Sequence, residues 1–111
     1  MQRKINVVFA TENLEKQFEK LNSEEDLKKH LLRAISDLKQ NPFCGRKLSQ
    51  RLFPKEYIKK YNVTNLWKYD LPNGWRLIYT VLRESEVELV SVILEWFNHK
   101  EYERRFNYLF F

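Results

Sequence analysis

The stretch NLWKYDLPNGWRLIYTV, residues 65–81, decides how this chain is read. Pro72 followed by Asn73-Gly74 supplies the backbone geometry of a tight turn. On either side, residues 66–71 and 75–83 are rich in aromatic and β-branched side chains and read as the two strands of a hairpin. Leu77, Tyr79 and Val81 fall on one parity, Ile78 and Leu82 on the other. Side chains alternate between the two sides of a strand, so a strand that is apolar on both parities needs cover on both sides. Arg76 runs against that pattern. An arginine between Trp75 and Leu77 needs either solvent or an anionic partner.

Working outward, RESE makes the next turn and residues 87–95 form a last strand. Upstream, KINVVFA (residues 4–10) reads as a first strand. Thr11 suits a helix N-cap, with Glu12 and Glu15 in the first turn where carboxylates complement the dipole. Leu14, Phe18 and Leu21 then form one helical stripe. Ser23 is expected to cap a second helix, with Asp26 in the capping-box position. Leu27, Leu31, Ile35 and Leu38 make its apolar face, and Asn41-Pro42 ends it. Pro54 suits the first turn of a short helix reaching Tyr61. Near the C-terminus Tyr102, Phe106 and Leu109 or Phe110 space out as a further short helical stripe. The expected fold is therefore α+β: two N-terminal helices packed on a mostly antiparallel four-stranded sheet in the order β-α-α-β-β-β, with a short C-terminal helix.

Composition narrows the function. A chain of 111 residues suits one domain spanning 1–111. No apolar run approaches the roughly 20 residues that span a bilayer, and the start MQRKINVVFATEN lacks the features of a signal peptide. A single cysteine, Cys44, excludes an intrachain disulfide. A cytoplasmic protein is expected. His30 and His99 are far apart and no Cys/His or HExxH pattern exists, so no metal and no cofactor are expected. With glycine only at Gly45 and Gly74, there is no phosphate-cradling loop.

The net charge of +5 is unevenly spread. Residues 41–83 carry nine Lys/Arg against two Asp/Glu, whereas residues 84–111 carry three against six. Arg46, Lys47, Arg51, Lys55, Lys59 and Lys60 are interleaved with Leu48, Leu52, Phe53, Tyr57 and Tyr61. Such a segment suits a polyanionic partner, or forms an ordinary solvated face.

The order of elements, together with NLWKYDLPNGWRLIYTV and FNHKEYERRF, resembles the RelE/ParE toxin superfamily of type II toxin–antitoxin systems. The resemblance implies a cognate antitoxin as partner. For the RelE branch it also implies a ribosome-dependent endoribonuclease that cuts mRNA without a metal. On that resemblance Arg76 corresponds to the arginine that contacts the scissile phosphate and Lys68 to the basic residue of the preceding strand. Tyr102 corresponds to a C-terminal tyrosine that stacks on a base or assists proton transfer. Arg46, Lys47, Arg51, Lys55, Lys59 and Lys60 would hold ribosomal RNA.

Two departures stand out. Asp70 lies where such enzymes often carry a second lysine, and Asn98-His99 where they often carry an arginine. His99 is suited to acid or base work near neutral pH. Asp70 suits either an orienting role or a plain ion pair with Arg76 across the hairpin. A ParE-like inhibitor of DNA gyrase, or a catalytically degenerate antitoxin-binding homologue, are the alternatives under the same resemblance.

Overall fold

The computed structural model describes residues 4–106. Strand β1 (Lys4–Phe9) leads into helices α1 (Glu12–Lys20) and α2 (Asp26–Gln40). A two-residue strand β2 (Arg46–Lys47) and helix α3 (Lys55–Tyr61) precede β3 (Trp67–Asp70), β4 (Arg76–Ser85) and β5 (Glu88–Phe97), and helix α4 is His99–Phe106. The sheet order is β1-β5-β4-β3-β2. The α1–α2 pair carries the chain from one sheet edge to the other, and the antiparallel meander β2 to β5 brings it back. β5 therefore meets β1 in parallel, with Lys4 opposite Glu88 and Phe9 opposite Ile93.

The fold is α+β and mostly antiparallel, as the residue pattern implies, with five strands where four were expected. Arg46 and Lys47 make the fifth by pairing with Lys68 and Trp67. Two residues carry no period of their own, so only the partner strand defines them. The second helix also starts later than its polar residues suggest. Its N-cap is Glu25, which makes no side-chain capping bond, while Asn22 accepts the Glu24 N–H at 2.9 Å. Ser23 is thus displaced into the turn by an Asx-type bond, a local alternative to capping. Thr11 does cap α1, accepting from the Leu14 N–H at 3.1 Å. The expected extension of the last helical stripe to Leu109 or Phe110 lies outside the described residues.

Both sheet faces are covered. On one, Leu77, Tyr79, Val81, Leu89 and Ile93 pack against Leu31, Ala34 and Leu38 of α2, with Leu14 and Phe18 of α1 alongside. On the other, Ile78, Leu94 and Phe97 pack against Tyr57 of α3 and Tyr102 and Phe106 of α4. Each fully buried aliphatic side chain stabilises the fold by about 1.5–3 kcal/mol, so neither layer is dispensable. A bulge tunes the second face. Ile78 pairs with Glu95 but Tyr79 with Ile93, leaving Leu94 as the extra residue on β5. Leu94 and Glu95 consequently share a side, Leu94 in the core and Glu95 bonded to the Tyr57 hydroxyl and to Arg105 at 3.0 Å.

Three polar contacts fix the meander. At the hairpin tip, Asn73 and Gly74 both adopt left-handed φ, 62° and 80°, which explains the Asn-Gly pair. The buried Tyr79 hydroxyl donates to the Pro42 carbonyl at 2.9 Å and accepts the Gly45 N–H at 3.1 Å, tying the segment before β2 down onto β4. A Cβ at Gly45 would lie 2.6 Å from that hydroxyl and 2.7 Å from the Lys68 carbonyl, so the approach requires glycine. Asn65 replaces the strand ladder where β3 has not yet begun. Its amide bonds both the N–H and the carbonyl of Val81, at 2.9 and 3.0 Å, and also accepts from Trp67 Nε1 and Thr80 Oγ1.

Asn65→Ala should destabilise the protein by about 1–3 kcal/mol, because it strands several part-buried polar groups. The check is urea unfolding, with the midpoint falling while the slope stays constant. A second test uses Tyr69, whose hydroxyl donates to Asp37 on α2. Burial first, then the hydrogen bond and charge of Asp37, push this phenol up to about 12. A phenol raised above its ordinary value keeps its proton longer when folded. Its stabilising contribution is complete below a pH of about 10 and is lost as pH rises through the folded value. Tyr69→Phe should therefore lose less stability between those two pH values than the parent; identical slopes would show that the phenol is not held by Asp37.

A cationic cluster at the sheet edge

The register of the meander assembles a charged group on the face that α4 partly covers. Asp70 stands directly opposite Arg76, Lys68 opposite Ile78, and Arg46 opposite Lys68. Residues opposite one another in an antiparallel pair share a face, and Ile78 belongs to the α3–α4 side of the core. Arg46, Lys68 and Arg76 thus lie on one face around one carboxylate, Asp70.

Asp70 Oδ1 lies 3.0 Å from Arg76 Nε and 3.4 Å from Lys68 Nζ. The nearest oxygen is the same in both contacts. The expected cross-hairpin ion pair is therefore present, and it is shared. The Arg76 Nη1 donates to the Trp75 carbonyl at 3.1 Å. Its Nε is buried and, despite its closeness to Asp70, makes no aligned hydrogen bond among the described residues. The Lys68 and Arg76 side chains retain 13% and 18% of their accessible surface, whereas Asp70 retains 56%. The two cations are set into the protein and the anion faces outward.

Tyr102 lies beneath them. It is only 3% exposed. Arg76 Cζ and Lys68 Nζ sit 5.4 and 5.6 Å from its ring centroid, inside the range of attraction between a cation and an aromatic face. Phe106 packs 4.9 Å from the same ring and Phe97 6.0 Å. The ring is thus both core and floor for two cations, which leaves it no room to stack on a base in this arrangement. Beside the cluster an open hollow of about 510 Å³ is lined by Cys44, Gly45, Arg46, Lys68, Tyr69 and Asp70. Partial burial, then Asp37, push the Cys44 thiol above its ordinary value, so it is not a ready nucleophile at neutral pH.

The remaining residues expected at a site are dispersed. His99 opens α4, is 59% exposed and pairs with Glu103 one turn on; its Cβ packs near Gly74 at the hairpin tip. Its imidazole pairs with Glu103 rather than with the cluster. Lys47 pairs with Trp67 and so faces the opposite side from Arg46. Arg51 lies in a short turn, and Lys55, Lys59 and Lys60 lie on α3. All are exposed, and none forms an ion pair among the described residues. Two features escaped the residue pattern. One is Asp70 as the shared centre of the cluster. The other is the network of Tyr57, Glu95, Arg105 and Glu56, in which Arg105 bridges the two glutamates at 3.0 and 3.2 Å. Burial and Glu95 hold the Tyr57 phenol far above its ordinary range, marking it as a structural donor. No group of three or more His, Cys, Asp or Glu among the described residues is placed to hold a metal ion, and no described helix is long and apolar enough to cross a membrane.

A family model described as the ParE toxin of type II toxin–antitoxin system, parDE, matches residues 8–94. That span includes Arg46, Lys68, Asp70 and Arg76 and ends before His99 and Tyr102. No curated protein and no solved structure matches the chain. The matched span, together with a helix pair packed on an antiparallel meander, shows that the chain belongs to the ParE toxin family, within the RelE/ParE superfamily of type II toxin–antitoxin systems.

Proposed function

We propose that this toxin acts on ribosome-bound mRNA as a metal-independent endoribonuclease, with Lys68 and Arg76 gripping the scissile phosphate and Arg46 guiding the strand into place. The observation that carries this reading is the preset cation cluster. Two nearly buried cations share one aromatic floor and one face with an exposed third, beside an open hollow. Cleaving RNA through its own 2′-hydroxyl requires the phosphate charge to be stabilised as it develops. Cations fixed before the substrate arrives do this without reorganisation. Arg76 supports charge only, since a guanidinium does not give up its proton at physiological pH. Tyr102 acts through them by holding their positions. Arg51, Lys55, Lys59 and Lys60 add a long-range positive field suited to ribosomal RNA. The cytoplasm is where such a target is found, and a cognate antitoxin would keep the toxin silent there.

Asp70 favours a second reading. A carboxylate in the middle of the cluster weakens its attraction for phosphate, which suits a ParE-like toxin that binds DNA gyrase without cleaving nucleic acid. The two readings separate in cells. Induction should produce mRNA fragments with cyclic-phosphate 3′ ends and 5′-hydroxyls on the first reading, and gyrase-dependent double-strand breaks on the second.

Arg76→Ala should lower mRNA cleavage by some hundredfold, the effect of losing about 3–4 kcal/mol of charge stabilisation at the transition state. Arg76→Met fills the same volume and controls for packing. If Met restores cleavage, the arginine was a packing element only. Arg46→Ala should reduce the slope of log affinity against log salt for single-stranded RNA by about 0.7, one phosphate contact; an unchanged slope would mean Arg46 touches no phosphate.

A further inference from the structure

The cluster contains one group that phosphate binding alone leaves unexplained. Asp70 is an anion at the place where an anion has to bind, yet it lies opposite Arg76 in register and shares one oxygen with both cations. We infer that Asp70 is the general base of the cleavage reaction, with its carboxylate as the proton acceptor and Lys68 as the acid that serves the leaving group. This inference rests on the mRNA-cleaving reading above.

Geometry is the first argument. Asp70 Oδ1 lies 3.0 Å from Arg76 Nε and 3.4 Å from Lys68 Nζ, which keeps the carboxylate beside both cations. The side chain is more than half exposed while the cations beside it are not. An incoming ribose would therefore meet the carboxylate, and its phosphate would lie against the guanidinium and ammonium. A general base must come within hydrogen-bond reach of the proton it removes. Elimination is the second argument. His99 is paired with Glu103 and not with Lys68 or Arg76, and Tyr102 is buried beneath those two cations. Cys44 is held protonated. Glu95, a second carboxylate on this face, is engaged by Tyr57 and Arg105.

The step balances within the cluster. The Asp70 carboxylate takes the proton of the ribose 2′-hydroxyl, and the 2′-oxygen forms a bond to phosphorus. The bond from phosphorus to the 5′-oxygen breaks, and that oxygen leaves with the electron pair and takes a proton from the Lys68 ammonium. The products are a 2′,3′-cyclic phosphate and a free 5′-hydroxyl. Asp70 now carries a proton and Lys68 lacks one. Transfer between these two neighbours, 3.4 Å apart at rest, restores the starting pair. Arg76 stabilises the added negative charge throughout.

The test uses the purified chain, ribosomes programmed with a defined mRNA, and single-turnover cleavage beside a separate measurement of binding to the same ribosomes. A general base contributes roughly 10²–10⁴-fold in rate. Asp70→Asn should therefore cut cleavage at least about a hundredfold, with binding equal to or tighter than that of the parent. Asp70→Glu keeps a carboxylate and should recover part of the rate. If the Asn variant cleaves as fast as the parent or faster, Asp70 is a mask over the cations and the inference falls. If both variants bind normally and lose cleavage equally, the carboxylate is not the base, and the inference falls equally. A parent protein that cleaves no ribosome-bound mRNA overturns the function on which the inference depends, and that result is read from the unmutated chain alone.

Discussion

A strand that carries large apolar side chains on both parities cannot leave either side in water, and β4 is such a strand. Leu77, Tyr79 and Val81 point into one layer and Ile78 into the other, all nearly inaccessible. The α1–α2 pair meets the first demand. The second falls to shorter pieces, α3 and α4 with Leu48 and Leu66 beside them. Near the start of β4 this second layer gives way to charged residues, and there Arg76, Lys68 and Asp70 stand on the same face as the core. The site is the edge of a hydrophobic layer, not a cleft cut into one.

That placement explains how cations can be so covered without being neutralised. Burying a charge is costly unless it is paired and hydrogen-bonded. Arg76 and Lys68 offset the cost in three ways: the shared carboxylate, the Tyr102 ring face and, for Arg76, the Trp75 carbonyl. One carboxylate paired with two cations, with Arg46 exposed on the same face, leaves a positive excess.

Away from the cluster, the β5 bulge has a different effect. By turning Leu94 and Glu95 to one side it places a carboxylate where Tyr57 and Arg105 can bind it, joining α3 and α4 to the sheet through polar contacts. Helix α4 carries Tyr102, so its anchorage sets the height of the ring beneath Lys68 and Arg76. The bulge and the cluster are thus linked through one short helix.

Local pattern by itself determined a good deal of this protein. The Asn73-Gly74 turn, the two-parity strands, the stripe through Leu27, Leu31, Ile35 and Leu38, and the helix after Pro54 are all short-range properties, written within a few residues of themselves. Arg76 also stood out, because a cation breaking an apolar alternation is visible in any window, whereas Lys68 entered only through the family resemblance. Other features depended on pairings between distant segments. Arg46–Lys47 became a strand only by meeting Lys68 and Trp67, which brought Arg46 to the cluster and turned Lys47 away. His99 and Lys68 were both expected at one site, and only packing shows that Lys68 meets Arg76 over Tyr102 while His99 pairs with Glu103. The shared position of Asp70 required the β3–β4 register, the Tyr102 floor required α4 to fold back over the sheet, and the Leu94 bulge required the β4–β5 pairing. Periodicity records which way a side chain points along its own element. What it meets there is decided by register, which no single segment contains.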